Sequence, residues 1–95
     1  MRYLVGYDIA DDRRRDRVAT TLLDFGKRLE ESLFLVYAEP ARHEELLARL
    51  RKLVDGAPLD RIHVVPICNA CWSKVVVFGE GQAIGGIPVH PPTLL

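Results

Sequence analysis

Asp8 ends the apolar run Tyr3-Leu4-Val5-Gly6-Tyr7, and the nine residues after it, IADDRRRDR, crowd three carboxylates and four arginines into the start of an amphipathic stretch. A charge at the end of a strand is poorly placed for packing and well placed for chemistry at the sheet's end. At about 100° per residue, with Val18 as the zero, Arg15 falls at about +60°, inside the apolar stripe. Arg17 and Arg13 fall at about −100° and about −140°, facing outward. Arg15 is therefore expected to reach toward the sheet close to Asp8. Two readings follow. An Asp8–Arg15 ion pair closes the end of the core beside a solvated charged face, or Asp8 is a working carboxylate with basic residues around it.

The other chemically capable residues form weaker patterns. Cys68 and Cys71 stand at metal-ligand spacing in CNACW, but one CxxC supplies two ligands where structural zinc needs four, so a zinc site needs a second copy of the motif. A thioredoxin-type role needs the pair to open a helix, and here a strand is expected next. The simpler reading is a tight turn with two half-buried small residues. His43 is expected on a helix, His63 in a strand and His90 in the tail, with no shared motif. Ser32 has no paired histidine and does not read as a nucleophile.

These residues are carried by a short chain. Ninety-five residues close one core, and a composition 48% hydrophobic and 27% charged is that of an ordinary folded domain. The formal net charge of zero removes bulk attraction to nucleic acid as an argument, but not a local patch. Arg outnumbers Lys ten to three, and four of the Arg lie between Arg13 and Arg17. No run approaches the roughly 18 apolar residues of a membrane span, and the N-terminal apolar run is too short for a signal peptide. A cytoplasmic setting without membrane contact is expected, in which a structural disulfide is disfavoured.

Residues 2–8 read as a strand. Asp11 or Asp12 can cap a helix whose stripe is Val18, Ala19, Leu22, Leu23 and Phe25, and Gly26 suits a left-handed C-cap. Leu29 to Ala38 reads as one long strand or two short ones bent near Ser32. Pro40 opens a second helix with Leu46, Leu47, Leu50, Leu53 and Val54 on its buried face. Arg61 to Ile67 and Lys74 to Phe78 read as strands. This order is a ferredoxin-like α+β sandwich: βαββαβ with an additional C-terminal strand, two helices on one face of an antiparallel sheet. Residues 1–79 form that domain. Residues 80–95 are a Gly- and Pro-rich extension, too apolar for a solvated tail and expected to lie against its own dimer or another partner. The second sheet face needs cover, and another copy of the chain is the economical one.

YDIADDRRRDRVATTLLDFG, then SLF, then RIHVVPICNACWSKVVVFG is similar in order and spacing to the Cas2 family, the small CRISPR-associated endoribonucleases, over about residues 3 to 79. The resemblance implies a ferredoxin-like homodimer in which Asp8 lies on the two-fold axis facing its mate, is catalytic, and binds a divalent metal, Mg²⁺ or Mn²⁺. It implies an endonuclease of single-stranded RNA or duplex DNA that serves antiviral defence by taking part in spacer acquisition with a CRISPR-associated integrase; in members that need no nuclease activity, the dimer bridges two integrase dimers and grips the DNA to be inserted. It places Arg15, Arg17, Arg28 and Phe34 among the nucleic-acid-binding positions, with Arg13 and Arg14 of the same cluster beside them and Tyr7 in support. The chain departs from the family pattern at Glu30, where Gln is usual, and at Leu35, where Glu is common. A C2 axis would double one carboxylate into two; without metal the two would repel. Phe34 is also simply a strand aromatic suited to a core. Two alternatives stand beside the nuclease: a non-catalytic adaptor that presents arginines to DNA, and a VapD-like ribonuclease toxin of the same fold.

Overall fold

The computed structural model describes residues 1–79 and the backbone of Val89–His90. Strand β1 (Arg2–Asp8) leads to helix α1 (Asp12–Leu23), the hairpin β2 (Gly26–Glu30) and β3 (Leu33–Tyr37), helix α2 (Pro40–Leu53) and strand β4 (Arg61–Ile67). A single helical turn, α3 (Asn69–Trp72), and two short strands, β5 (Val77–Phe78) and β6 (Val89–His90), follow. The first four strands form one sheet in the order β2-β3-β1-β4, every neighbour antiparallel. That is the βαββαβ sandwich expected, with β1 central.

Strand alternation sorts the side chains. Val5 and Tyr7 of β1, and Phe34 and Val36 of β3, turn toward the helices and are buried with Val18 and Leu22 of α1, Phe25, and Leu46 and Leu50 of α2. Ile62 and Val64 of β4 pack against the same cluster. The intervening residues, Leu4, Gly6 and Asp8 in β1, Leu33, Leu35 and Tyr37 in β3, and Arg61, His63 and Val65 in β4, therefore share the other face. On that side Trp72, Val75, Val76, Val77 and Phe78 line a shared cleft with Leu4, Leu29 and Leu33. Tyr37, Val65 and Phe78 stay exposed at the margin of that face.

Helix starts follow the sequence. Asp11 caps α1, its carboxylate accepting the Arg14 N–H at 2.9 Å, and Pro40 is the first residue of α2. Several local expectations are corrected. Gly26 is not a left-handed cap: α1 ends on Asp24 in right-handed geometry, and Gly26 opens β2. A Cβ there would lie 2.0 Å from the Leu35 carbonyl oxygen, so glycine is needed for the close approach of β2 to β3. Leu23 is 54% exposed, one step off the stripe. CNACW is one turn of helix rather than a plain turn, capped by the Cys68 sulfur, which accepts the Cys71 N–H at 3.4 Å, and both cysteines are exposed rather than half-buried. The last expected strand is shorter, and β5 pairs in parallel with β6. The remaining expectations for residues 80–95 lie outside the described residues. No described helix is long and apolar enough to cross a membrane.

Candidate metal and nucleic-acid site

Asp8 is the last residue of β1. Strand β3 leaves off opposite Gly6, whereas β4 continues alongside, so that Asp8 is paired in register with Arg61. The carboxylate is exposed and, among the described residues, makes no side-chain hydrogen bond or ion pair. Its neighbour fixes where it points. The buried Tyr7 donates its hydroxyl hydrogen to the Glu31 carbonyl at 3.0 Å, and its backbone N–H goes to the Ser32 carbonyl at 3.2 Å. With Tyr7 anchored to the hairpin on the helix side, Asp8 must project from the opposite face.

That alternation undoes the Asp8–Arg15 ion pair. Arg15 does reach the end of β1, donating from Nη1 to the Ile9 carbonyl at 3.2 Å, and it also grips Asp12 one helical turn back. But α1 packs on the helix side, and Asp8 projects from the other. No ion pair joins them among the described residues.

The other arginines of the cluster divide by what they hold. Arg14 crosses to the loop before β4, where its Nε donates to Asp60 at 2.6 Å. The Asp60 side chain is only 5% exposed, and this bond raises the Arg14 pKa further above its ordinary value. Arg13 and Arg17 stand exposed on the outer side of α1. Arg28 is exposed on β2, its Nη2 donating to the same Glu31 carbonyl at 3.1 Å and its guanidinium 5.1 Å from the centre of the Phe34 ring. Phe34 itself has 0% exposure and lies 6.2 Å from the Tyr7 ring. It offers no free face for a base to stack on. Phe34 is a core residue rather than a stacking platform.

Among the described residues no three His, Cys, Asp or Glu side chains converge as a metal cage. Asp8 alone still fits Mg²⁺, which takes one or two carboxylates and fills its shell with water and substrate phosphate. Cys68 and Cys71 follow the far end of β4, where Ile67 pairs with Arg2, roughly 20 Å along the strand from Asp8. Within a chain they serve no common site with it. Hydrogen bonds from the Cys71 backbone and thiol hold the Cys68 thiol below its ordinary pKa, while Cys68 pushes that of Cys71 up. His43 stacks on Tyr3, centroids 4.2 Å apart; His63 is exposed.

Sequence reasoning missed Asp60 and Arg61. Neither has a motif. Their relevance comes from the β1–β4 register and from the Arg14 contact, which no spacing rule supplies.

Comparison with known proteins bears on the family and the fold. A family model described as "CRISPR associated protein Cas2" matches residues 1–75, which include the whole four-stranded sheet. A CRISPR-associated endoribonuclease Cas2 of Chloroflexus aurantiacus is 32% identical over 81 residues, 85% of this chain and 87% of that protein. A CRISPR-associated endonuclease Cas2 of Thermus thermophilus is 35% identical over 79 residues, 83% of this chain and 82% of its own. The crystal structure of Streptococcus pyogenes Cas2 at pH 6.5 superposes with a TM-score of 0.74 at 26% identity, covering 83% of this chain and all of that one.

Proposed function

The chain belongs to the CRISPR associated protein Cas2 family, and from that premise we propose that it is a metal-dependent endonuclease, hydrolysing phosphodiesters of single-stranded RNA or duplex DNA as a homodimer. The relatives' names as endoribonuclease and endonuclease support the activity. The observation that carries the reading is Asp8: an exposed carboxylate at the end of the central strand, on the sheet face the helices leave uncovered, and unclaimed by any described side chain.

In the proposed dimer the uncovered faces meet, and a two-fold axis brings one Asp8 from each chain to a shared Mg²⁺ or Mn²⁺. When bound, the cation would supply an activated water and polarise the phosphoryl oxygen. The chain's own residues orient the substrate. Arg13 and Arg17, turned outward on α1, and Arg28, on the hairpin tied to Tyr7, meet backbone phosphates. Arg15 secures the first turn of α1 to Ile9, with its outer edge open to a phosphate. Arg14 holds Asp60 and thereby keeps α1 against the start of β4. Contacts of this kind position a strand and carry no base information, so cleavage has little sequence preference.

The absence of a three-ligand cluster among the described residues favours a second reading. In it the same dimer bridges two integrase dimers during spacer acquisition and grips DNA without cutting it. A nuclease assay on single-stranded RNA and duplex DNA decides between them. The nuclease reading expects cleavage in Mg²⁺ or Mn²⁺, none in EDTA, and none by Asp8→Asn with the dimer intact. Full activity of Asp8→Asn refutes the assignment, and DNA binding without cleavage under every condition supports the adaptor.

A further inference from the structure

Arg61 stands directly across from Asp8 in the β1–β4 ladder. Residues directly opposite in an antiparallel pair carry their Cβ atoms about 4.5–5.5 Å apart on the same face. Here that face is the one opposite the helices, since Tyr7 and Ile62, the next pair inward, pack against the core. Opposite charges so placed usually pair. In this chain they do not: both side chains are exposed, and among the described residues neither makes a side-chain hydrogen bond or ion pair. An acceptor and a five-donor fork are left open side by side.

The position of Arg61 is also held. Asp60, the preceding residue, turns to the helix side, where its nearly enclosed carboxylate accepts from Arg14 at 2.6 Å. The pairing of Asp8 with Arg61 is the last rung of that ladder, and the Arg14–Asp60 bond pins its β4 end to α1. A guanidinium on a fixed strand loses less freedom on binding than one at a mobile tip.

We propose that Arg61 is a substrate-binding residue of the Asp8 site, taking two oxygens of the phosphodiester group next to the one that Asp8 addresses. This rests on the reading of Asp8 as the phosphodiesterase carboxylate and deepens it. Arg61 gives the site a fork that suits a tetrahedral phosphate, with its donors in a plane. The ligand is the sugar–phosphate backbone, so the contact is blind to sequence.

The test compares wild type, Arg61→Ala, Arg61→Lys and Asp8→Asn, each verified as folded by circular dichroism. Binding to a fluorescein-labelled single-stranded RNA and a labelled DNA duplex is followed by anisotropy in EDTA over a range of KCl. Cleavage kcat/KM is measured separately in Mg²⁺. Arg61→Ala is expected to weaken binding about tenfold and to reduce the slope of log affinity against log salt by about 0.7–0.9, one phosphate contact. Arg61→Lys restores the slope but not kcat/KM. Unchanged affinity and slope in Arg61→Ala overturn the proposal, as does faster cleavage, which would mean that Arg61 merely screens Asp8. Asp8→Asn reports on the parent reading by cleavage alone. If that variant cuts normally, or wild type does not cut, the salt slope still decides the assignment of Arg61.

Discussion

Replacing Phe34 by leucine separates two roles that an aromatic residue beside Arg28 can play. The ring is wholly enclosed and tilted 31° against Tyr7, so leucine removes buried aromatic area and the aromatic pair, together about 1–2 kcal/mol. The guanidinium of Arg28, 5.1 Å from the ring centre, loses a cation–π contact of about 0.5–1 kcal/mol. The sum is about 2 kcal/mol, which for a domain of this length lowers the melting temperature by about 8–16 °C. Alanine, at about 3–5 kcal/mol, risks unfolding a domain whose total stability is about 5–15 kcal/mol. Leucine is thus the cleaner change. Binding of labelled RNA, measured by anisotropy well below the melting range, is expected to fall less than about threefold. A ring that stacked on a base would cost about 1–3 kcal/mol, or about fivefold to 150-fold. Wild-type melting combined with a tenfold loss of RNA affinity would refute the burial assignment.

Gly26→Ala is expected to destabilise the fold by at least about 2 kcal/mol, since its Cβ falls 2.0 Å from a backbone oxygen that can move only with β3; unaltered thermal unfolding would contradict this. Asp11 carries the cap of α1, and its hydrogen bond from the Arg14 N–H depresses its pKa. Its contribution is therefore complete above the ordinary carboxylate pKa and is lost as pH falls through the depressed value. The melting temperatures of wild type and Asp11→Ala should accordingly draw closer as pH drops from 5 toward 2, and a constant difference would contradict a contribution from the charged cap. Cys68, with the lower thiol pKa, should react with iodoacetamide before Cys71 at mildly alkaline pH, as read by peptide mass mapping; preferential labelling of Cys71 would reverse the assignment.

Much of the fold was legible because its signals are local. Asp11 before an amphipathic run, Pro40 before a second one, and alternating apolar strands mark their elements without tertiary help. Gly26 shows where this fails: a glycine after a helix suggests a cap, but close backbone approach is a property of two strands met in space. The site was legible in part. Asp8 stands out as a candidate because a charge ending a strand is unusual, whereas the face it takes depends on strand alternation, and no Asp8–Arg15 ion pair forms among the described residues. Phe34 has the same letter whether it stacks or packs. Arg61 became visible only through the register of β4 on β1.

In the proposed dimer, two chains bring their Asp8 carboxylates to one cation. Counting Mn²⁺ bound to the purified protein, by electron paramagnetic resonance titration at known oligomeric state, tests it most directly. One Mn²⁺ per two chains, lost in Asp8→Asn while the dimer persists, is the predicted result. One Mn²⁺ per chain, or binding undiminished in Asp8→Asn, would contradict it.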